Sequence, residues 1–387
     1  MRGPTLLAGG VVLAVAVASF MRAPLLPDIG RDLTLTAADL AMITTAFAVG
    51  RLVMDLPAGR LADRLPPGQA LAGTGVGVAI SAALLATAQS FAQALAGVFF
   101  LGVASALTNT TGMTLFATSA PYHRRGSAMA GFSMSLMTGQ MLGPAVGGAI
   151  AGLAGWRASQ TVAVGIGVGV FAACLLVPAG SVSRPAEAPA ARVDEPAGLS
   201  RSQAAALAAV PFAVFFTLGA LPQTLLPVIG SSELSLGTAA IGIALGAGGV
   251  ARFAGSAIAG GVSDRVSRKA ALIPSLLGMA AGVLLLVPEP TLGTWLTAIV
   301  LLSVASSGIA VAATMIADRV PPATVGRRLG TFRFTGDFGL LAGPALTGLL
   351  YQHSGRVSAM LFTAGVLAAC ALAAGLLVTE PRGSLRA

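Results

Sequence analysis

The sequence predicts an all-α integral membrane protein with twelve transmembrane helices in two pseudo-symmetric six-helix bundles. Three observations carry this expectation. The 387 residues are 55% hydrophobic and only 10% charged, with a mean hydropathy of +0.86, far too apolar for an ordinary soluble protein. Apolar runs of about 20 residues, enough to span a ~30 Å hydrocarbon core as a helix, recur from one end to the other. Finally, the chain repeats itself at an offset of about 200 residues.

Taken in order, the first run covers 6–27. It lacks the strong basic flank and small-residue cleavage site of a secretory leader, so it reads as a retained first helix. Five more follow at 37–58, 69–88, 92–117, 127–153 and 159–177. The stretch GSVSRPAEAPAARVDEPAGLSRS, Gly180 to Ser202, is rich in Pro, Ala and charge without apolar periodicity. It is expected to be a flexible linker between domains at 1–179 and 203–387. The second six runs cover 203–229, 237–261, 270–288, 291–317, 330–350 and 356–378.

An even number of spans puts both termini on one side. Of 23 Lys and Arg, sixteen fall in the N-terminus, the C-terminus and the loops on that same side. Only Arg31, Arg157 and Arg356 fall in the opposite loops, and four lie within spans. The positive-inside rule then places both termini in the cytoplasm of a multi-pass plasma (inner) membrane protein. The net charge of +9 is therefore read as topology and not as a nucleic-acid footprint. Cys174 and Cys370 lie mid-span, as small apolar side chains.

The repeat is specific. LLPDIG at Leu25 to Gly30 returns as LLPVIG at Leu225 to Gly230, and GQMLGPAVGG at Gly139 to Gly148 returns as GLLAGPALTG at Gly339 to Gly348. GRLADR at Gly59 to Arg64 is echoed by GGVSDR at Gly260 to Arg265. With GWR at Gly155 to Arg157, these motifs and the six-plus-six plan resemble the major facilitator superfamily over nearly the whole chain. The motif after the second span resembles that family's loop signature, carried here by Gly59, Leu61, Asp63, Arg64 and Gly68. The fifth-span stretch resembles the signature of the family's drug:proton antiporters, carried by Gly139, Gly143, Pro144, Gly147 and Gly148. One departure stands out: Val98 lies four residues before Gly102, where that group usually carries an Arg tied to proton coupling.

Physically, the small residues of the fifth span allow close helix approach, and Pro144 permits a kink. That stripe is expected to face the eighth span; the alternative is ordinary membrane-helix packing. Charges inside spans each cost a few kcal/mol, about 2.5–3.5 at the bilayer centre, and are usually functional or paired. They are Arg22, Arg51, Asp55, Arg252, Arg333 and Asp337, with Asp28 at the outer end of the first span.

Helix depth at ~1.5 Å per residue brings Asp55 level with Arg333 and Arg51 level with Asp337 on antiparallel spans. The four are candidates for an ion-pair gate; the alternative is self-neutralisation of each i, i+4 pair within its own helix. Arg252 and Arg22 are candidates to bind an anionic substrate group, or else to pair with helix-end carbonyls or snorkel. Met137 and Gln140 on the fifth span are further candidate substrate contacts. A carboxylate that gains or loses an Arg neighbour during the cycle can capture or release a proton, and Asp55, Asp337 and then Asp28 are the candidates. Gly59 is expected to permit close approach, Asp63 to accept from the N-terminal amides of a neighbouring helix, and Arg64 to anchor topology. The second copy, Asp264 and Arg265, reads as a latch or a plain anchor.

No HExxH helix or P-loop is present, and the single Lys269 is followed by Ala270; an enzyme is not expected. Neither cofactor nor metal is expected. The reading is a monomeric secondary transporter, working by alternating access on a small-molecule substrate in the lipid bilayer. Proton-coupled efflux of amphipathic, drug-like molecules comes first; uptake or exchange of a small organic anion is the alternative, and no nucleic-acid partner is expected.

Overall fold

The computed structural model describes residues 2–119, 125–175, 200–319 and 322–378, and every regular element among them is helical. In chain order these are α1 (Arg2–Met21), α2 (Leu26–Asp32), α3 (Ala37–Arg64), α4 (Pro67–Ala86), α5 (Phe91–Ser119), α6 (Arg125–Ala154) and α7 (Trp156–Leu175). Then come α8 (Arg201–Ala220), α9 (Leu226–Ser232), α10 (Thr238–Arg265), α11 (Arg268–Leu284), α12 (Leu292–Ala305), α13 (Ile309–Ala317) and α14 (Pro322–Leu377). Each of the twelve predicted runs overlaps one or more of these helices. Nine helical stretches among the described residues are long and apolar enough to cross a membrane. The last of them, Gly330–Leu377, carries the final two predicted spans on either side of Gly355, whose φ of 78° breaks the helix.

Polar residues just outside the apolar runs start several helices. Thr36 accepts from the Asp39 amide while the Asp39 carboxylate accepts from the Thr36 amide, a capping box that opens α3. Ser200 with Gln203 and Thr291 with Thr294 do the same for α8 and α12. Each box satisfies two amides that a helix start leaves without intrahelical partners.

The structure corrects two boundary expectations. The first and seventh spans do not end near 27 and 229; both are interrupted and continue to Asp32 and Ser232. A 3₁₀ turn at Ala23–Leu25 divides α1 from α2, and a π turn at Leu221–Leu225 divides α8 from α9. Prolines at 24 and 27, and at 222 and 227, supply the reason, since each removes a backbone donor inside an apolar run. Past both breaks the repeat governs the turn as well. Leu35 donates to the Gly30 carbonyl at 2.8 Å and Leu236 to the Gly230 carbonyl at 2.9 Å, with Thr34 and Ser235 at φ of 52° and 51°. The GRLADR and GGVSDR motifs, expected in loops, instead form the last turns of α3 and α10.

Two compact units are present: Met1–Glu187 with Pro227–Gly249, and Ala188–Leu226 with Val250–Ala387. In the first, small residues set the helix crossings. A methyl on Gly50 of α3 would meet the Phe99 carbonyl of α5, and one on Gly102 of α5 would meet the Phe47 carbonyl of α3. Gly75 of α4 and Gly167 of α7 oppose one another in the same reciprocal way, 2.7 Å from a built methyl to the facing carbonyl. Lipid tails are as apolar as side chains, so backbone approach replaces the hydrophobic effect as the source of helix adhesion.

In the second unit, α8 packs on α14, where methyls on Gly339 and Gly343 would meet the Phe212 and Phe216 carbonyls. Phe212, Phe216, Phe338 and Phe362 fill the adjoining space, with ring centroids 5.8–6.0 Å apart. Trp295 is fully buried, and its indole N–H donates 3.1 Å to the Leu226 carbonyl. That carbonyl lies just past the π turn, where the helical ladder is interrupted.

Candidate substrate site and conformational motifs

Arg22 lies at the mouth of the first break, immediately before the 3₁₀ turn, and is only 2% exposed. Its guanidinium lies over the ring of Phe47 on α3, 4.7 Å from the centroid. One turn along α3, Arg51 has its own guanidinium 6.0 Å from the same ring, and its Nη1 donates 3.1 Å to Ser105 Oγ on α5. Two cations predicted for different roles, substrate binding and gating, are thus gathered around one buried aromatic side chain. The tight α3–α5 crossing at Gly50 and Gly102 brings Ser105 within reach of Arg51, because it brings the two backbones together there.

Asp55 follows Arg51 by one turn and is half-buried. In the second unit Arg333 is half-buried and Asp337, one turn on, is buried. Arg252 on α10 is half-buried, and its carbonyl accepts from Ser256 at 3.0 Å and from Ser307 at 3.2 Å. Ser307 belongs to a third helix break, a 3₁₀ turn at Ser306–Gly308 dividing α12 from α13. A methyl on Gly255 would lie 2.7 Å from the Ser307 hydroxyl, so α10 crosses that break in close contact. Met137 and Gln140 are half-buried on α6.

Asp28 is more than an interfacial charge. It pairs with Arg31 on its own helix and accepts 2.5 Å from Thr238 Oγ1 at the first residue of α10. A carboxylate at a helix start is favoured by the exposed amides and by the helix dipole. This contact ties α2 to α10.

The small-residue stripe of α6 has two faces. Built methyls on Gly139 and Gly143 would each lie 2.7 Å from carbonyls of α1, those of Leu13 and Val17, and one on Gly147 would meet Met21. Of the glycines of α6, Gly148 and Gly152 face α10, with Gly242 and Ala239 opposite. The expectation that the whole stripe faces the eighth span is corrected accordingly: a 3.6-residue period puts positions 139, 143 and 147 on one side and 148 a further 100° round. Pro144 is buried within a continuous α6, and its carbonyl is turned to Gly242.

Of the signature at the end of α3, Gly59 has no described atom within 4 Å of a built methyl. Arg64 is exposed in the last turn of α3, where a cation is favoured. The Asp63 side chain lies outside the described residues. Asp264 and Arg265 are both exposed at the end of α10.

GWR has a structural explanation. Gly155 takes a φ of 85°, turning the chain between α6 and α7. Arg157 pairs with Asp32, donates 2.9 Å to the Ala88 carbonyl at the end of α4, and lies 4.3 Å from the Trp156 ring. The Trp156 indole N–H also donates to Asp32, at 3.2 Å. One Arg thus clamps the ends of the first, third and sixth spans.

Sequence reasoning missed Phe47, Ser105, Thr238 and the breaks. The breaks were signalled by Pro24, Pro27, Pro222 and Pro227 at matching places in the two halves, the pattern that points to binding sites in membrane carriers. Phe47 carried no signal, since an aromatic residue in an apolar span is ordinary.

Long apolar helices, two of them interrupted at equivalent points of an internal repeat, with Arg22 buried beside the first break, define a multi-pass membrane transporter of small molecules. The sequence profile described as Major Facilitator Superfamily matches residues 8–251 and 203–387. The chain belongs to that superfamily, and is accordingly a transporter and not an enzyme. It is 30% identical over 297 residues to a Streptomyces lividans protein named chloramphenicol resistance protein, covering 75% of this chain and 72% of that one. It is 38% identical over 113 residues to the multidrug resistance protein MdtG of Salmonella arizonae, a match to 29% of this chain and 28% of that protein. Among solved structures, a bacterial homologue of the human lysosomal transporter Spinster, inward-facing and unoccupied, superposes with a TM-score of 0.80 at 16% identity over 96% of each chain. A D-xylose-proton symporter superposes with a TM-score of 0.78 at 16% identity over 98% of each. These last two establish the fold alone.

Proposed function

We propose that the protein is a proton-coupled exporter of small amphipathic, drug-like molecules, working as a monomer by alternating access in the plasma membrane with both termini cytoplasmic. The observation that carries this reading is the match to a chloramphenicol resistance protein across 72% of that protein's length, together with the fifth-span motif from Gly139 to Gly148. Residues 180–202 are proposed as the linker between two six-helix domains.

In this reading Arg22, Arg252, Met137 and Gln140 contact substrate. Asp55 and Asp337 carry the proton, since coupling needs a carboxylate whose protonation differs between the two access states. Asp28, engaged with Arg31 and Thr238, serves as a conformational latch before it serves as a proton carrier. The gate formed by Arg51, Asp55, Arg333 and Asp337 is carried by helix depth in the sequence; exchanging the charges of Asp55 and Arg333 together should restore transport lost in either single change. No restoration would count against it.

Accumulation of chloramphenicol in a pump-deficient host tests the function. Cells expressing the chain should accumulate less drug, and collapsing the proton gradient should abolish the difference. Equal accumulation with and without the chain would overturn the efflux reading. Uptake or exchange of a small organic anion is the second reading, favoured by four interior Arg against two interior Asp.

A further inference from the structure

The span interiors of each compact unit carry one more cation than acid. Arg22 and Arg51 stand against Asp55 in the first, and Arg252 and Arg333 against Asp337 in the second; Asp28 is matched by Arg31. A lipophilic cation entering such an interior meets net repulsion that little water screens. The position of Phe47 sharpens the point. Its ring is 3% exposed and faces Arg22 at 4.7 Å, with Arg51 on the same ring at 6.0 Å.

A cation–π contact steadies a guanidinium in an apolar setting through its charge. The planar donor fork of Arg suits a planar pair of oxygens. Arg22 also sits where the helix is broken, which is where carriers of this build hold polar substrate groups.

We propose that Arg22 and Phe47 form a subsite for a planar, multi-oxygen acceptor group on an otherwise apolar substrate, a carboxylate or a nitro group, and that this subsite selects against lipophilic cations. The inference rests on the transporter reading but not on the direction of transport or its coupling ion. Phe47 acts as a positioning residue through Arg22.

The test is binding to the purified full-length protein in detergent, with three probes: 2-naphthoate for the carboxylate, chloramphenicol for the neutral nitro group, and tetraphenylphosphonium for the cation. At least one acceptor probe should bind, with tetraphenylphosphonium at least about tenfold weaker, and the two acceptor probes distinguish an anion site from a dipole site. Arg22→Gln should weaken that acceptor probe about 10- to 100-fold, the range of a lost charge-assisted hydrogen bond, and strengthen tetraphenylphosphonium. Arg22→Lys, which keeps the charge and loses the fork, should fall between. Phe47→Leu should weaken the acceptor probe by about tenfold.

A merely structural role would lower all probes together, whereas a subsite reverses their order. Tetraphenylphosphonium bound as tightly as the acceptors by the native protein would overturn the proposal. So would binding of neither acceptor, or variants that leave the order of probes unchanged. Because binding needs no gradient, failure here leaves the accumulation result standing, and failure of drug export leaves this result standing.

Discussion

Replacing Gly148 with Ala should loosen the contact between α6 and α10. A methyl there would lie 2.7 Å from the Thr238 carbonyl oxygen and 2.8 Å from Gly242 Cα, both backbone atoms that no rotamer change can move aside. Ordinary van der Waals contact begins near 3.4 Å, so the helices must part by roughly 0.7 Å or bend. Overpacking of this kind costs about 1–3 kcal/mol, offset by up to ~1 kcal/mol from the better helix propensity of Ala. The net expectation is about 1–2 kcal/mol against the conformation described, a shift of roughly five- to thirtyfold in its population. Gly165→Ala on α7 is the matched control, since no described atom lies within 4 Å of a methyl there. Thermal unfolding in one detergent should rank Gly165→Ala at or above the native protein and Gly148→Ala below it. Adding Gly242→Ala to Gly148→Ala should cost less than the sum, because the helices have already separated. A Gly148→Ala protein as stable as the Gly165→Ala control would refute the close α6–α10 approach and the argument built on it.

Two further outcomes follow from the polar contacts. Asp28→Ala and Thr238→Val should each destabilise by about 1–3 kcal/mol, and the double variant should cost less than the sum, by a coupling of about 0.5 kcal/mol or more; strict additivity in thermal unfolding would show that the 2.5 Å bond joins nothing of consequence. Arg157→Ala removes the Asp32 pair, the Ala88 hydrogen bond and the ring contact, and should cost about 1–2 kcal/mol. Arg157→Lys should restore less than half, since an ammonium lacks the second branch that reaches Ala88; full restoration would reduce the clamp to a charge.

The candidate site was legible in part. Arg22, Arg51 and Asp55 announced themselves as charges in apolar runs, because a bilayer penalises them unless something is gained. Their grouping was not legible: Arg22 and Arg51 lie on different helices, and only the tertiary packing shows that Phe47 joins them. The glycine stripe was legible as a stripe, yet its division between α1 and α10 depended on the helix rotation about its axis, which no spacing within one helix fixes. For Gly59, whose motif suggests close packing, no described atom lies within 4 Å of a built methyl.

By itself the sequence determined what the bilayer dictates: that the chain is built of long apolar helices, that it repeats internally, and which few charges the bilayer penalises. Those follow from one-dimensional terms, the transfer cost of each residue and the length needed to span. Only the tertiary structure decided where helices break, which glycines touch which neighbours, and which side chain stands over a buried cation. Lipid supplies no hydrophobic preference among helix faces, so those choices rest on backbone fit and polar pairing between segments far apart in the chain.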